Sequence, residues 1–330
     1  MKLALIALFL GCLGCCDAQT PAAAPPASAT PTAAGRAPAI RSNEDEGVSI
    51  DRFLRKPGDQ PVHLSHGTLL IQQILGPGDP DHPGDYGQVL QYRKNLALAR
   101  LLAGAQTPLE TYPDSYFFYV KGGEGRLDDG KQMWDLKDGV AIMVPPSVPH
   151  RFVNTSDKPL EMIMLQWTAG PDAKKSLIVR NSYALPWCEE NAHWNNASHC
   201  IFGAADGLVQ GERIYTVMLP PWSVSQPHSH PQGMEEVWTK LSPGTIPVLI
   251  GSELREMPEN SSYLVPPTGK TDHSNLNLSK DKTEWFLYIA RSPVNPNASP
   301  RPQGQGNGMS ANPNLSRDTT AATVAGKPLR

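Results

Sequence analysis

A stretch near the middle of the chain recurs in its last third, and this duplication constrains the fold more than any other feature. Laid over one another without gaps, Tyr116 to Gly125 (YFFYVKGGEG) matches Glu235 to Gly244 (EEVWTKLSPG), pairing Tyr119 with Trp238, Lys121 with Lys240 and Gly125 with Gly244. With small shifts of register, Pro113 falls on Pro231, and His150 and Asn154 fall on His273 and Asn277. Around the first copy, from Leu96 to Asn154, short apolar runs alternate with turn residues. Asp129 and Gly130 stand between Leu127 and Trp134 where a two-residue primed turn requires residues that tolerate positive φ. Such a pattern predicts an all-β chain of two antiparallel barrels or sandwiches.

The second copy carries the chemistry. In PHSHPQGMEEVW, His228 and His230 lie two apart, so on an extended backbone both imidazoles project from one face. An acidic pair follows at Glu235 and Glu236, and His273 comes after the Pro/Gly-rich turn of PPTGKTDHSNLN. Three imidazole nitrogens and one carboxylate oxygen form a donor set for a single divalent ion. The gapless alignment sets Glu235 over Tyr116, the position that the family resemblance described next gives to the carboxylate, with Glu236 as the fallback, and turns Val237, Thr239 and Leu241 towards the interior.

These two stretches resemble the paired motifs of the cupin superfamily, in which His-x-His and a Glu come from the first motif and a Pro-rich turn, His, three residues and Asn from the second. The resemblance covers residues 90–170 and 205–291. It implies two cupin (jelly-roll type) β-barrels in tandem, with a metal held by His228, His230, Glu235 and His273. In the first copy the second motif is present from Gly139 through Pro145, His150 and Asn154. The first motif departs from the family pattern: Glu110 and Tyr112 stand in the histidine positions and Tyr116 in that of the carboxylate. This implies a first barrel that has lost its metal. A sharper alternative is a metal-free acid/base pair, Glu110 and His150, in a tyrosine-lined pocket. Tyr263 and Trp222 are candidates for the wall of the second pocket, with a core role as the competing reading.

The remaining segments set the boundaries. Residues 1–18 combine a basic Lys2 with a short apolar run and read as a secretory signal. Cys15 is a candidate lipidation site, and cleavage after Ala18 is the competitor. Residues 19–47, rich in Pro, Ala and Thr, and residues 292–330 lack the large apolar side chains needed to offset ordering entropy. The folded halves are then 48–175 and 176–291. Cys188 and Cys200 form a disulfide in the preferred reading, two separate thiols or a Cys/His metal site with His193 and His199 being the alternatives. The expected location is outside the cytoplasm, in a bacterial envelope or secreted, with membrane contact only through an N-terminal lipid.

A formal net charge of −3 and no Lys/Arg cluster argue against a nucleic-acid partner. The ligand set implies one divalent ion (Fe, Mn, Cu, Ni or Zn) and a small-molecule substrate that is anionic or enolisable. From the resemblance, the favoured activity is an oxidoreductase of the dioxygenase type. A non-redox isomerase, lyase or decarboxylase, and a non-catalytic metal- or saccharide-binding protein, are the alternatives.

Overall fold

The computed structural model describes residues 49–188 and 194–293, all within one compact unit. The expected signal at 1–18, the spacer at 19–47, His193 and the tail beyond Pro293 lie outside the described residues. Among those described, every regular element is a β-strand or a single-turn 3-10 helix.

Each half is a large sheet backed by a small one. In the first half the large sheet runs Ile178–Asn181, Val140–Val144, Ser115–Gly122, Leu160–Trp167, Asn95–Leu101, Leu69–Pro77, Val62–Ser65, with Gln88–Leu90 parallel to Leu69–Pro77. The small sheet runs Arg151–Asn154, Gly125–Asp128, Met133–Leu136. In the second half the large sheet runs Leu54–Arg55, Ser262–Leu264, Glu235–Lys240, Glu284–Arg291, Glu212–Leu219, Ala197–Phe202, Trp187–Cys188. Its partner runs Ser223–Val224, His273–Asn277, Thr245–Ile250, Glu253–Pro258.

Three apolar cores follow from strand alternation. Phe118, Val120, Leu127 and Phe152 fill the space between the sheets of the first half, and Trp238, Val248, Met257 and Phe286 do the same in the second. The opposite faces of the two large sheets meet each other through Leu98, Phe117, Tyr119 and Ile163 on one side and Ile214, Val237, Leu287 and Ile289 on the other. Buried on both faces, these strands carry near-continuous apolar runs in place of an alternating pattern. Truncating Phe117 or Leu287 to Ala would cost about 3 kcal/mol by transfer and cavity terms.

Three local expectations are corrected. The halves do not divide at 175/176. Leu54–Arg55 adds to the second half's sheet through Tyr263 and Ser262, while Ile178–Asn181 adds to the first half's sheet beside Val140–Val144. The hairpin after Asp128 is present but closes through four residues, Asp129–Gln132, with Asp129 N–H donating to Gln132 O. Its Asp128 carboxylate accepts from Gly130 N at 2.7 Å, and Gly130 takes φ 84°.

The third correction concerns register. In the first half, Met162 pairs with Val120 and Glu161 with Gly122, so Lys121 is an extra, bulged residue. The repeat therefore cannot be aligned without a gap. Tyr116 matches Glu236, since Tyr116 pairs with Val144 while Val265 N–H donates to Glu236 O. The side chains sent into the second half's own core are Glu236, Trp238 and Lys240, not Val237, Thr239 and Leu241.

Candidate metal centre

The cluster is assembled by one backbone pairing. His228 and His273 lie directly opposite each other, His273 N–H donating to His228 O at 3.0 Å and His228 N–H to His273 O at 3.4 Å. His230, two residues on, shares the face of His228. The ring centroids stand 4.6 Å apart for His228–His230, 4.6 Å for His228–His273 and 5.0 Å for His230–His273. One ligand nitrogen from each lies within 4.8 Å of the others, so the trio is able to coordinate a single divalent ion.

Outer contacts fix which nitrogen faces inward. His228 Nδ1 donates to Gln226 O at 2.7 Å and His273 Nδ1 to His228 O at 3.0 Å, leaving both Nε2 atoms on the cluster side. His230 Nε2 stands 2.8 Å from Glu236 Oε2. His273 Nε2 lies 3.0 Å from Glu236 Oε1.

The carboxylate beside the imidazoles is thus Glu236, and Glu235 is corrected to a different role. Because side chains alternate along Glu235–Lys240, a slip of one residue exchanges the two faces. Glu235 points towards the other half, where its Oε2 accepts from the backbone N–H groups of Gln91 at 2.7 Å and Tyr92 at 2.8 Å. Arg93 lies 3.7 Å from Glu235 and is ion-paired with Glu212, all three being buried. Burial pushes the Glu235 carboxyl up, and Arg93 and the two amides pull against it.

Glu236 is fully buried and held from behind. Trp238 Nε1–H donates to Oε1 at 2.7 Å and Tyr288 O–H to Oε2 at 3.0 Å. Tyr288 in turn accepts from Arg213 Nη2 at 2.9 Å. Burial alone would raise the Glu236 carboxyl, but the charges of His230 and His273 bring it well below the ordinary carboxylate range. Tyr288, Arg213 and the supporting part of Trp238 were not picked out from the sequence. The available signal was the period-two face of Glu284–Arg291, which places Tyr288 with Phe286 in the second half's core.

Other candidates fall elsewhere. Tyr263 is fully buried, donates to Asn275 Oδ1 at 3.2 Å and belongs to the core, whereas Trp222 is 70% exposed and forms no pocket wall. Cys188 and Cys200 are disulfide-bonded, and His199 stacks on Trp187 at 3.9 Å. The motif asparagines are structural staples. Asn154 Nδ2 donates to the carbonyls of Leu101, Leu102 and Lys158, and Asn277 Nδ2 to those of Leu219, Pro220 and Lys282. In the first half, Glu110 pairs through its backbone with His150, as His228 does with His273. The side chains part company: Glu110 accepts from Tyr112 O–H at 3.0 Å, and His150 Nδ1 donates to Val148 O at 3.1 Å.

Comparison with known proteins agrees with this plan. The cupin-domain family profile matches residues 97–166. An uncharacterized protein of Methanocaldococcus jannaschii, MJ1618, is 30% identical over 102 residues, which is 31% of this chain and 74% of that protein. Among solved structures, YlbA from E. coli superposes with a TM-score of 0.57 at 12% identity, covering 75% of this chain and 95% of that one. AerE from Microcystis aeruginosa gives 0.54 at 15%, covering 73% and 100%. A Bacillus subtilis oxalate decarboxylase gives 0.54 at 11%, covering 74% and 78%. At these identities the structures speak to fold alone. A chain whose first half matches the cupin profile, and whose second half rebuilds the same two-sheet plan around a His/His/His cluster, belongs to the cupin superfamily.

Proposed function

We propose that the second half is a mononuclear metal centre carrying out non-redox chemistry on a small organic anion, of the decarboxylase or lyase type. The observation that carries this reading is the charge of the site. Three neutral imidazoles and the Glu236 carboxylate leave a divalent ion with a net charge near +1. Arg213, joined to Glu236 through the Tyr288 hydroxyl, adds a further positive charge. A carboxylate substrate suits that field.

A bound divalent ion would supply Lewis-acid polarisation of a substrate oxygen. The chain's own residues do the positioning. Gln226 O and His228 O set the imidazole tautomers, Trp238 and Tyr288 fix the carboxylate, and His230, the least buried of the four, marks the side open to solvent. Oxalate decarboxylases of Bacillus subtilis and Lactobacillus farciminis share the two-half architecture, and the latter is known as a formate complex. This favours the non-redox alternative over the dioxygenase expectation. In the first half the residues matching the ligand positions are Glu110, Tyr112, Tyr116 and His150, which supports reading its family metal site as lost.

The test is a screen of the metal-loaded protein against small dicarboxylates and keto acids, with carbon dioxide release and dissolved oxygen followed together. Release without oxygen consumption, abolished in Glu236→Gln and His228→Ala, is expected. Stoichiometric oxygen uptake would return the dioxygenase reading, and stable metal binding without turnover would leave a binding protein.

A further inference from the structure

The first half holds a feature that its lost cupin motif does not explain. His66 and His150 are 4% and 1% exposed, and the Nε2 of each is buried without a hydrogen-bond partner. Buried ring nitrogens in that condition call for a water or an ion.

His66 reaches this position from outside either cupin motif, on the turn after Val62–Ser65. Its backbone takes φ 46°, a left-handed conformation that costs of order 1 kcal/mol or more in a non-glycine residue. The ring it delivers is walled by Tyr112 at 4.2 Å, Tyr116 at 4.9 Å and Phe118 at 5.7 Å between centroids. It lies 5.2 Å from the His150 ring, close to the 4.6–5.0 Å spacings within the His228, His230, His273 trio. Both rings have their other nitrogen engaged, His66 Nδ1 with Ser65 Oγ at 2.8 Å and His150 Nδ1 with Val148 O at 3.1 Å.

The surroundings select the charge of the occupant. Burial, then the charge of His150, holds the His66 imidazole down to about 3, and burial lowers His150, so both are neutral donors at physiological pH. The nearby carboxylate, Glu110, is occupied by the Tyr112 hydroxyl. A divalent ion between two neutral imidazoles in an aromatic pocket would keep its full charge without a counter-ion, which is costly. A monovalent ion that accepts two nitrogen donors carries half that charge and a correspondingly smaller desolvation cost, and copper is well served by imidazole.

We propose that His66 and His150 form a second metal site, distinct from the second half's cluster, that takes copper(I) between their Nε2 atoms. The test removes the other cluster with His228→Ala/His230→Ala and titrates the full chain anaerobically with copper(I) against the chelator bicinchoninate. One equivalent withheld from the chelator is expected, with affinity at least tenfold weaker when His66→Phe is added. X-ray absorption of the copper-loaded double variant is expected to show two nitrogen neighbours and no sulfur. If His66→Phe fails to fold, His150→Gln in the same background is the second variant, and loss of the two-nitrogen shell there is expected. No copper withheld, binding unmoved by His66→Phe, or a sulfur-containing shell would overturn the proposal, leaving a bridging water as partner of the two nitrogens.

Discussion

Replacing His66 by Phe removes a proton-binding group from the first half's interior and should change how stability depends on pH. The imidazole titrates near 6.5 in the unfolded chain and is lowered to about 3 by burial and by His150. Between those values the unfolded chain binds the proton and the folded chain does not, so folding stability falls as pH falls through that window. Each pH unit there costs about 1.4 kcal/mol, hence about 2 kcal/mol between pH 6.5 and 5 and about 5 kcal/mol across the window. His150, lowered in the same direction, adds to the slope in both proteins and largely cancels in the comparison. The assay is urea unfolding with chelator present at pH 7.5 and pH 5, for wild type and His66→Phe. Phe keeps a ring against Tyr112, Tyr116 and Phe118, so the pH slope is the readout and absolute stability is not. Wild type should lose about 2 kcal/mol more than the variant on acidification. Parallel losses would refute the placement of His66 as a neutral, desolvated imidazole.

Other outcomes follow from the second half and the interface. Glu236→Gln should abolish stoichiometric metal in elemental analysis, whereas Glu235→Gln should leave it in place and lower unfolding stability by about 1–3 kcal/mol, because Arg93 and the Gln91 and Tyr92 amides lose a charged acceptor. Tyr288→Phe should weaken metal affinity by about 10–100-fold in a competition titration, as expected when the outer partner of a ligand is removed. Occupancy of the second half's centre should fall as pH drops below about 6, since imidazole ligands must be neutral to coordinate, and His150→Ala should not alter it. Reducing Cys188–Cys200, which closes a separation of 12 residues, should cost about 3 kcal/mol in thermal or denaturant unfolding by the loop-entropy relation.

The all-β class, the tandem repeat and the three histidines were legible because each rests on a short-range pattern: turn residues between apolar runs, a two-residue spacing on one strand face, and a His behind a Pro/Gly turn. The carboxylate was not, and the reason is physical. A gapless alignment assumes that equivalent strands carry equal numbers of residues, but the bulge at Lys121 gives the first copy one more. In a sheet that error is total, since it exchanges the two faces of every residue before the bulge. Glu235 and Glu236 are chemically identical and adjacent, so only the face separates a metal-side carboxylate from an interface carboxylate. Composition could not have separated them, but the neighbours could. Trp238 belongs to the face of Glu236 and Val237 to that of Glu235, and an indole N–H at i+2 is a donor that a buried carboxylate requires, whereas Val offers none. His66 was invisible for another reason. It reaches the first half's motif residues from a turn distant in sequence, and no local pattern records that arrival. Its unpartnered nitrogen and left-handed backbone exist only once the strands have paired, and for that reason the copper(I) titration tests the folded arrangement and not a motif.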